Sequence, residues 1–156
     1  MPLGPGGKSP SHFQNSVIVG DNAGSVTPIL DNRTAVSVST AGNVTLTAAQ
    51  FFSGIYLRDC NGAGRTDTTP TAVQLQDFFR GSGGANKGPV VGSTFWLHVR
   101  NTSGAANTLT VAGGTGVTIS GTATVAQSNC KDFLCVFTAV GASPAVTMYS
   151  LGTAVF

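Results

Sequence analysis

Charged side chains are scarce in this chain of 156 residues. Asp, Glu, Lys and Arg together make up 9% of it, and glutamate is absent, whereas an average soluble domain carries about 25% charged residues. The basic residues are dispersed, while a nucleic-acid groove needs Lys and Arg clustered on one face. We therefore expect no nucleic-acid partner. A surface with so few charges predicts contact with neighbouring subunits, and a neutral soluble domain is the alternative.

Cysteines and long apolar runs are also few. Three cysteines, Cys60, Cys130 and Cys135, show no C-x-x-C spacing, which argues against a disulfide framework and a zinc site. No apolar run approaches the ~20 residues of a membrane span, and the first residues lack the apolar core of a signal peptide. The sequence thus predicts synthesis in the cytoplasm and no membrane partner.

The side chains that catalysis requires are nearly missing. Only two histidines occur, His12 and His98, and every acidic residue is an aspartate. A nucleophilic site needs a nucleophile, a base and an orienting group close together, and neither histidine has such neighbours in the sequence. We predict a protein that is not an enzyme, with no catalytic, cofactor-binding or metal-ligating residues.

The densest polar group spans residues 58–67. Its oxygen donors could form an ion site, but a calcium loop of the EF-hand type needs a terminal glutamate that the chain lacks. Two arginines among these aspartates favour Arg–Asp pairs at strand ends or across a subunit contact. With the two apolar residues of the N-terminal segment, this group supplies our interface candidates: Leu3, Phe13, Arg58, Asp59, Arg65 and Asp67.

Residues 1–16 differ in composition from the rest. They hold three of the seven prolines, which favours extended backbone over a packed core. We predict an N-terminal arm, residues 1–16, anchored by Leu3 and Phe13, followed by a single domain at residues 17–156.

The domain shows the alternation of apolar and polar residues that is typical of strands. The candidate strands are at 17–19, 26–30, 35–39, 44–47, 94–100, 108–111, 117–119, 122–125, 132–138 and 145–151. One short helix is predicted within residues 68–80, where Thr69 precedes a proline and Gly81 provides a stop. This pattern predicts an all-β fold, a jelly-roll-like β-sandwich of about ten short strands, with an irregular barrel as the alternative.

Several segments resemble a known module in order along the chain. They are residues 46–50, 65–72, 92–95, 100–102, 107–122, 133–134 and 146–151. Together they resemble a recurring β-rich module in virion proteins of large double-stranded DNA viruses and tailed phages. The resemblance implies a virion component, a minor capsid or decoration subunit located in the capsid. It also implies a homotrimer in contact with the major capsid protein and neighbouring virion proteins.

A receptor- or glycan-binding head of a viral fibre or spike is the alternative function. Such a site presents exposed aromatic rings beside polar groups, and the candidates here are Tyr56, Trp96 and Tyr149. All three fall within apolar strands, so we predict that they lie in the core.

Overall fold

The computed structural model describes residues 34–81 and 88–156. The predicted arm with Leu3 and Phe13, the boundary at residue 17, and the predicted strands at 17–19 and 26–30 lie outside these residues. The described part contains nine strands and two helices: β1 (Ala35–Val38), α1 (Ala48–Phe52), β2 (Ile55–Arg58), β3 (Arg65–Thr68), α2 (Ala72–Arg80), β4 (Thr94–Asn101), β5 (Leu109–Ala112), β6 (Val117–Ser120), β7 (Thr124–Val125), β8 (Asn129–Ala139) and β9 (Ala145–Val155).

The strands form two sheets. The large sheet has the order β1-β2-β4-β8-β9-β6, and the small sheet has the order β3-β5-β7. Four of the seven strand pairings are parallel: β1 with β2, β2 with β4, β3 with β5, and β6 with β9. The predicted strand-rich fold is confirmed. A jelly roll consists of antiparallel strands, so these mixed sheets do not confirm that arrangement, nor the count of ten strands.

Successive passes of the chain visit the two sheets in turn. β2 lies in the large sheet and β3, the next strand, in the small sheet; β4 and β5 repeat this order. Before them, β1 lies in the large sheet and Thr45 forms a parallel bridge to Thr68 of β3. Three passes therefore stack in parallel, and β8 and β9 extend the large sheet beyond β4.

Both helices begin at a reciprocal Thr–Gln capping box. Thr71 accepts a hydrogen bond from the Gln74 main-chain N–H, while the Thr71 N–H donates to Gln74 Oε1 at 2.9 Å. The same pair of contacts joins Thr47 and Gln50 at the start of α1. These boxes satisfy main-chain N–H groups that have no partner inside the helix.

The prediction of one helix is wrong in number. The helix expected within residues 68–80 is present as α2, although its cap is Thr71 rather than Thr69. The second helix, α1, has only five residues, which is too short for a helical apolar period to be visible in the sequence. Its residues follow a segment that we assigned to a strand at 44–47, of which only Thr45 forms a bridge.

One hydrophobic core receives side chains from both sheets and both helices. Alternate residues of β4, β8 and β9 point inward, as the buried positions Leu97, Phe133 and Met148 show. At the helical end, Phe52 packs against Phe95 with ring centroids 4.7 Å apart. The opposite residues of the same strands therefore form an outer face of the large sheet.

Candidate interaction surface

The polar group at residues 58–67 contributes two charged residues, Arg58 and Asp67, to a buried cluster inside the chain. Arg58 Nε donates to Asp67 Oδ2 at 2.7 Å, and the Tyr56 hydroxyl donates to the same oxygen at 2.7 Å. The Val44 N–H donates to Asp67 Oδ1 at 2.9 Å. Arg58 and Asp67 are 0% and 1% exposed. They join β2 of the large sheet to β3 of the small sheet.

Arg58 also binds main-chain carbonyls that no strand pairing satisfies. Its Nη1 donates to Thr40 O at 2.9 Å and to Asp59 O at 2.7 Å, and its Nη2 donates to Gly42 O. The guanidinium has five N–H donors and stays charged, so this dense set of acceptors compensates its removal from water. The segment between β1 and Thr45 is thereby anchored to β2.

Burial and the neighbouring carboxylate keep the Tyr56 hydroxyl protonated. Removal from water raises the pKa of Tyr56 far above its usual value, and the hydrogen bond to Asp67 raises that pKa further. A protonated hydroxyl is required here, because the group donates to a carboxylate oxygen.

The interface candidates therefore separate into two sets. Arg58 and Asp67 belong to the interior, because a charge removed from water needs its partner in the same chain. Asp59 and Arg65 are half-buried: Asp59 Oδ1 accepts from the Asn61 N–H, and Arg65 Nε donates to Cys60 O at 2.9 Å. Asp59 and Arg65 form no ion pair with each other or with another described residue.

The outer face of the large sheet carries a row of large apolar side chains. Trp96 of β4 is paired with Leu134 of β8, which is paired with Tyr149 of β9. Trp96 and Tyr149 are 45% and 41% exposed. Since neighbouring strands lie about 4.8 Å apart, the two aromatic residues stand about 10 Å apart along the row. We call these three residues the aromatic row.

The predicted core position is confirmed for Tyr56 and wrong for Trp96 and Tyr149. An apolar strand has two faces, and its register decides which residues the core receives. In β4 the inward positions belong to Leu97 and Val99, which leaves Trp96 outside. The sequence carries a signal for this, because alternation along β4 places Trp96 on the same face as His98 and Arg100.

Polar groups adjoin the aromatic row on the same face. His98 Nδ1 lies 2.7 Å from Asp132 Oδ1, and the two side chains are 34% and 55% exposed. One row further, Phe156 covers Arg100, with the guanidinium carbon 3.3 Å from the ring centroid. Arg100 Nε is buried and has no hydrogen-bond partner among the described residues. The outer face thus combines aromatic rings with a few charged groups, most of them paired or covered.

The His98–Asp132 pair is the only contact in the described residues that resembles part of a catalytic triad. It lies on an exposed sheet face, where water screens the charges that catalysis would use. No group of three or more metal-ligating side chains occurs in residues 34–81 and 88–156. None of the helices described there is long and apolar enough to cross a membrane.

Comparison with known proteins returns no relative. No family model matches the chain, and neither a curated protein nor a solved structure matches it.

Proposed function

We propose that this protein is a non-enzymatic structural subunit of a virion, a minor capsid or capsid-decorating protein. The observation that supports the proposal best is the exposed aromatic row on the large sheet, in a chain with very few charges. Contiguous apolar patches that are exposed and rimmed by polar residues mark interaction sites on protein surfaces.

The exposed aromatic rings would supply the apolar centre of a larger contact surface. Trp96, Tyr149 and Phe156 are each between 41% and 46% exposed. Since an aromatic side chain has about 150–250 Å² to bury, the three expose roughly 200–330 Å². The half-buried Leu134 adds to this surface. A partner surface that is likewise poor in charge would cover the patch without leaving unpaired charges, each of which is destabilising by several kcal/mol.

The finer architecture belongs to the same proposal. The two sheets act as the two layers of a β-sandwich, with the Arg58–Asp67 contact between β2 and β3 as one of the links between layers. A homotrimer in contact with the major capsid protein, as the resemblance implies, completes the proposal. Light scattering on the purified chain tests the trimer directly.

The location in a particle is tested with an antibody against the chain. Virus particles are prepared from cells that produce this protein and are separated on a density gradient. The antibody should detect the chain in the fractions that contain packaged DNA. Replacing the two exposed rings, Trp96→Ser with Tyr149→Ser, should release the chain from those fractions. The control is Val91→Ser, which changes another exposed apolar residue. A chain that never sediments with particles would refute the proposal.

The exposure of Trp96 and Tyr149 favours a second candidate, a glycan- or receptor-binding head. Both rings are accessible and the His98–Asp132 pair beside them offers hydrogen-bonding groups. Trp96 is the only tryptophan, so its fluorescence reports on this face alone. A glycan array with hits, together with a saturable change in Trp96 fluorescence, would favour recognition; an array without hits would leave the structural role.

A further inference from the structure

The second half of β9 has one open edge in the part of the chain that the structure describes. β6 pairs with β9 from Val146 to Tyr149 only. The chain leaves this edge at Gly121, whose φ of +95° lets it turn. The other edge of β9 stays paired with β8 as far as Val155. From Leu151 to Val155 the strand therefore has main-chain groups on one side without a partner among residues 34–81 and 88–156.

The usual protection of an open edge is weak here. Proteins shield edge strands with charged side chains, proline or bulges. β9 contains neither a charged residue nor a proline. A register shift lies beside Leu151, where β9 passes from Ser150 to Gly152 opposite β8, but the residues beyond it are regularly paired. Leu151 and Val155 are 53% and 78% exposed.

We propose that this open edge pairs with the same edge of a second copy of the chain, antiparallel and about a twofold axis at Thr153. The inference rests on the proposed role as an assembly subunit and names one of its contacts. An edge strand presents alternating donors and acceptors, which another strand matches along its length. A twofold axis requires that a residue i opposite j be matched by j opposite i, and an antiparallel pair of identical strands meets that requirement.

The register follows from the side chains. An axis at Thr153 puts Leu151 opposite Val155, Gly152 opposite Ala154, and the two Thr153 residues opposite each other. The two large apolar residues of the edge then form cross-strand pairs, which are stabilising. No like charges meet, because the segment has none. A strand from a different protein would also have to be uncharged along this segment, and it would not be related to β9 by the twofold axis.

The contact is small. Strand pairing over five residues buries much less than the ~800 Å² per partner of a standard interface, so we expect a weak dimer with a dissociation constant in the micromolar range. Pairing extends the large sheet sideways and leaves Trp96 and Tyr149 uncovered. The twofold contact and the proposed threefold contact can therefore coexist in one particle.

A cysteine at the axis tests the register. Opposed residues of paired strands have Cβ atoms about 4.5–5.5 Å apart, and a disulfide needs about 3.5–4.5 Å, so a small local shift of the two strands allows the bond to form. Both variants are made in a Cys130→Ser background, which removes the partly exposed native thiol. Thr153→Cys should then form a disulfide dimer about tenfold faster than the control. The control is Ala142→Cys, at an exposed position in the β8–β9 turn. Equal rates for the two variants would overturn the proposal.

A charge at the axis provides a second readout. Thr153→Lys opposes two ammonium groups and should abolish concentration-dependent dimerisation in light scattering. Thr138→Lys, at an exposed position of β8, should leave it unchanged. Dimerisation of Thr153→Lys at the wild-type concentration would also overturn the proposal. Particle gradients separate the edge-to-edge dimer from the proposed virion role. A Thr153→Lys chain that no longer dimerises but still sediments with particles leaves the virion role intact. A wild-type chain that dimerises but never sediments with particles refutes the virion role alone.

Discussion

Removal of the Asp67 carboxylate should be among the most destabilising changes in the chain. Asp67→Ala leaves the Arg58 guanidinium buried without its counter-ion and removes the acceptor of the Tyr56 hydroxyl and of the Val44 N–H. Breaking a buried ion pair from one side costs about 3–5 kcal/mol. A domain of this size has a free energy of unfolding of roughly 5–15 kcal/mol, so the variant should be close to unfolding.

Urea denaturation followed by circular dichroism measures the loss. Asp67→Asn keeps the side-chain volume and one carbonyl acceptor, so we expect a smaller loss, about 1–3 kcal/mol. Asp77→Ala is the control: its ion pair with Arg80 is long, at 3.7 Å, and Asp77 is 60% exposed. Exposed pairs contribute about 0–1 kcal/mol, so this variant should unfold near the wild-type midpoint.

A double variant tests whether the cluster stabilises through its charges or through the carbonyls that Arg58 binds. Replacing buried ion pairs by apolar residues is often neutral. Here the double variant Arg58→Met with Asp67→Leu would leave three main-chain carbonyls without the hydrogen bonds that Arg58 donates, those of Thr40, Asp59 and Gly42. The double variant should therefore remain destabilised by at least about 2 kcal/mol. A double variant as stable as the wild type, or a loss below about 1 kcal/mol in Asp67→Ala, would refute this account.

Three further outcomes are expected from the buried groups, caps and glycines. The raised pKa of Tyr56 means that the unfolded chain loses this proton first, so stability should fall as pH rises above about 10; Tyr56→Phe should flatten that slope in urea titrations, and an unchanged slope would contradict the assignment. Thr71→Ala removes the cap of α2 and should lower the free energy of unfolding by about 1 kcal/mol, measured by thermal unfolding, whereas an unchanged free energy of unfolding would argue against the capping box. Gly114→Ala would bring a Cβ to 2.5 Å from a main-chain oxygen and should lose about 1–3 kcal/mol, while Gly104→Ala, where nothing lies within 4 Å, is the near-neutral control.

Much of the strand content was predictable from alternation. The predicted segments at 94–100, 117–119 and 145–151 correspond to β4, β6 and β9. The sequence reasoning missed β2 and β3, because Ile55–Arg58 and Arg65–Thr68 are four residues each and carry buried charged residues where an apolar period was sought. A buried Arg–Asp pair breaks the pattern that identifies such strands.

The candidate surface was less predictable than the fold class. The sequence predicts Arg–Asp pairing within residues 58–67, and the structure forms such a pair between Arg58 and Asp67 inside the chain. The apolar neighbours of Trp96 and Tyr149 in the sequence predict a core position, whereas both rings are exposed. In β4, Trp96 shares its face with His98 and Arg100, while Leu97 and Val99 occupy the opposite face.

The sequence by itself determined that this chain is rich in strands, poor in charge and punctuated by one recognisable helix. These properties follow from composition and local period, which act over a few residues. Only the tertiary structure decided that four of the seven strand pairings are parallel and that Asp67 meets Arg58 across two sheets. Each of these depends on residues distant in the chain, and strand register and burial are set when those residues meet.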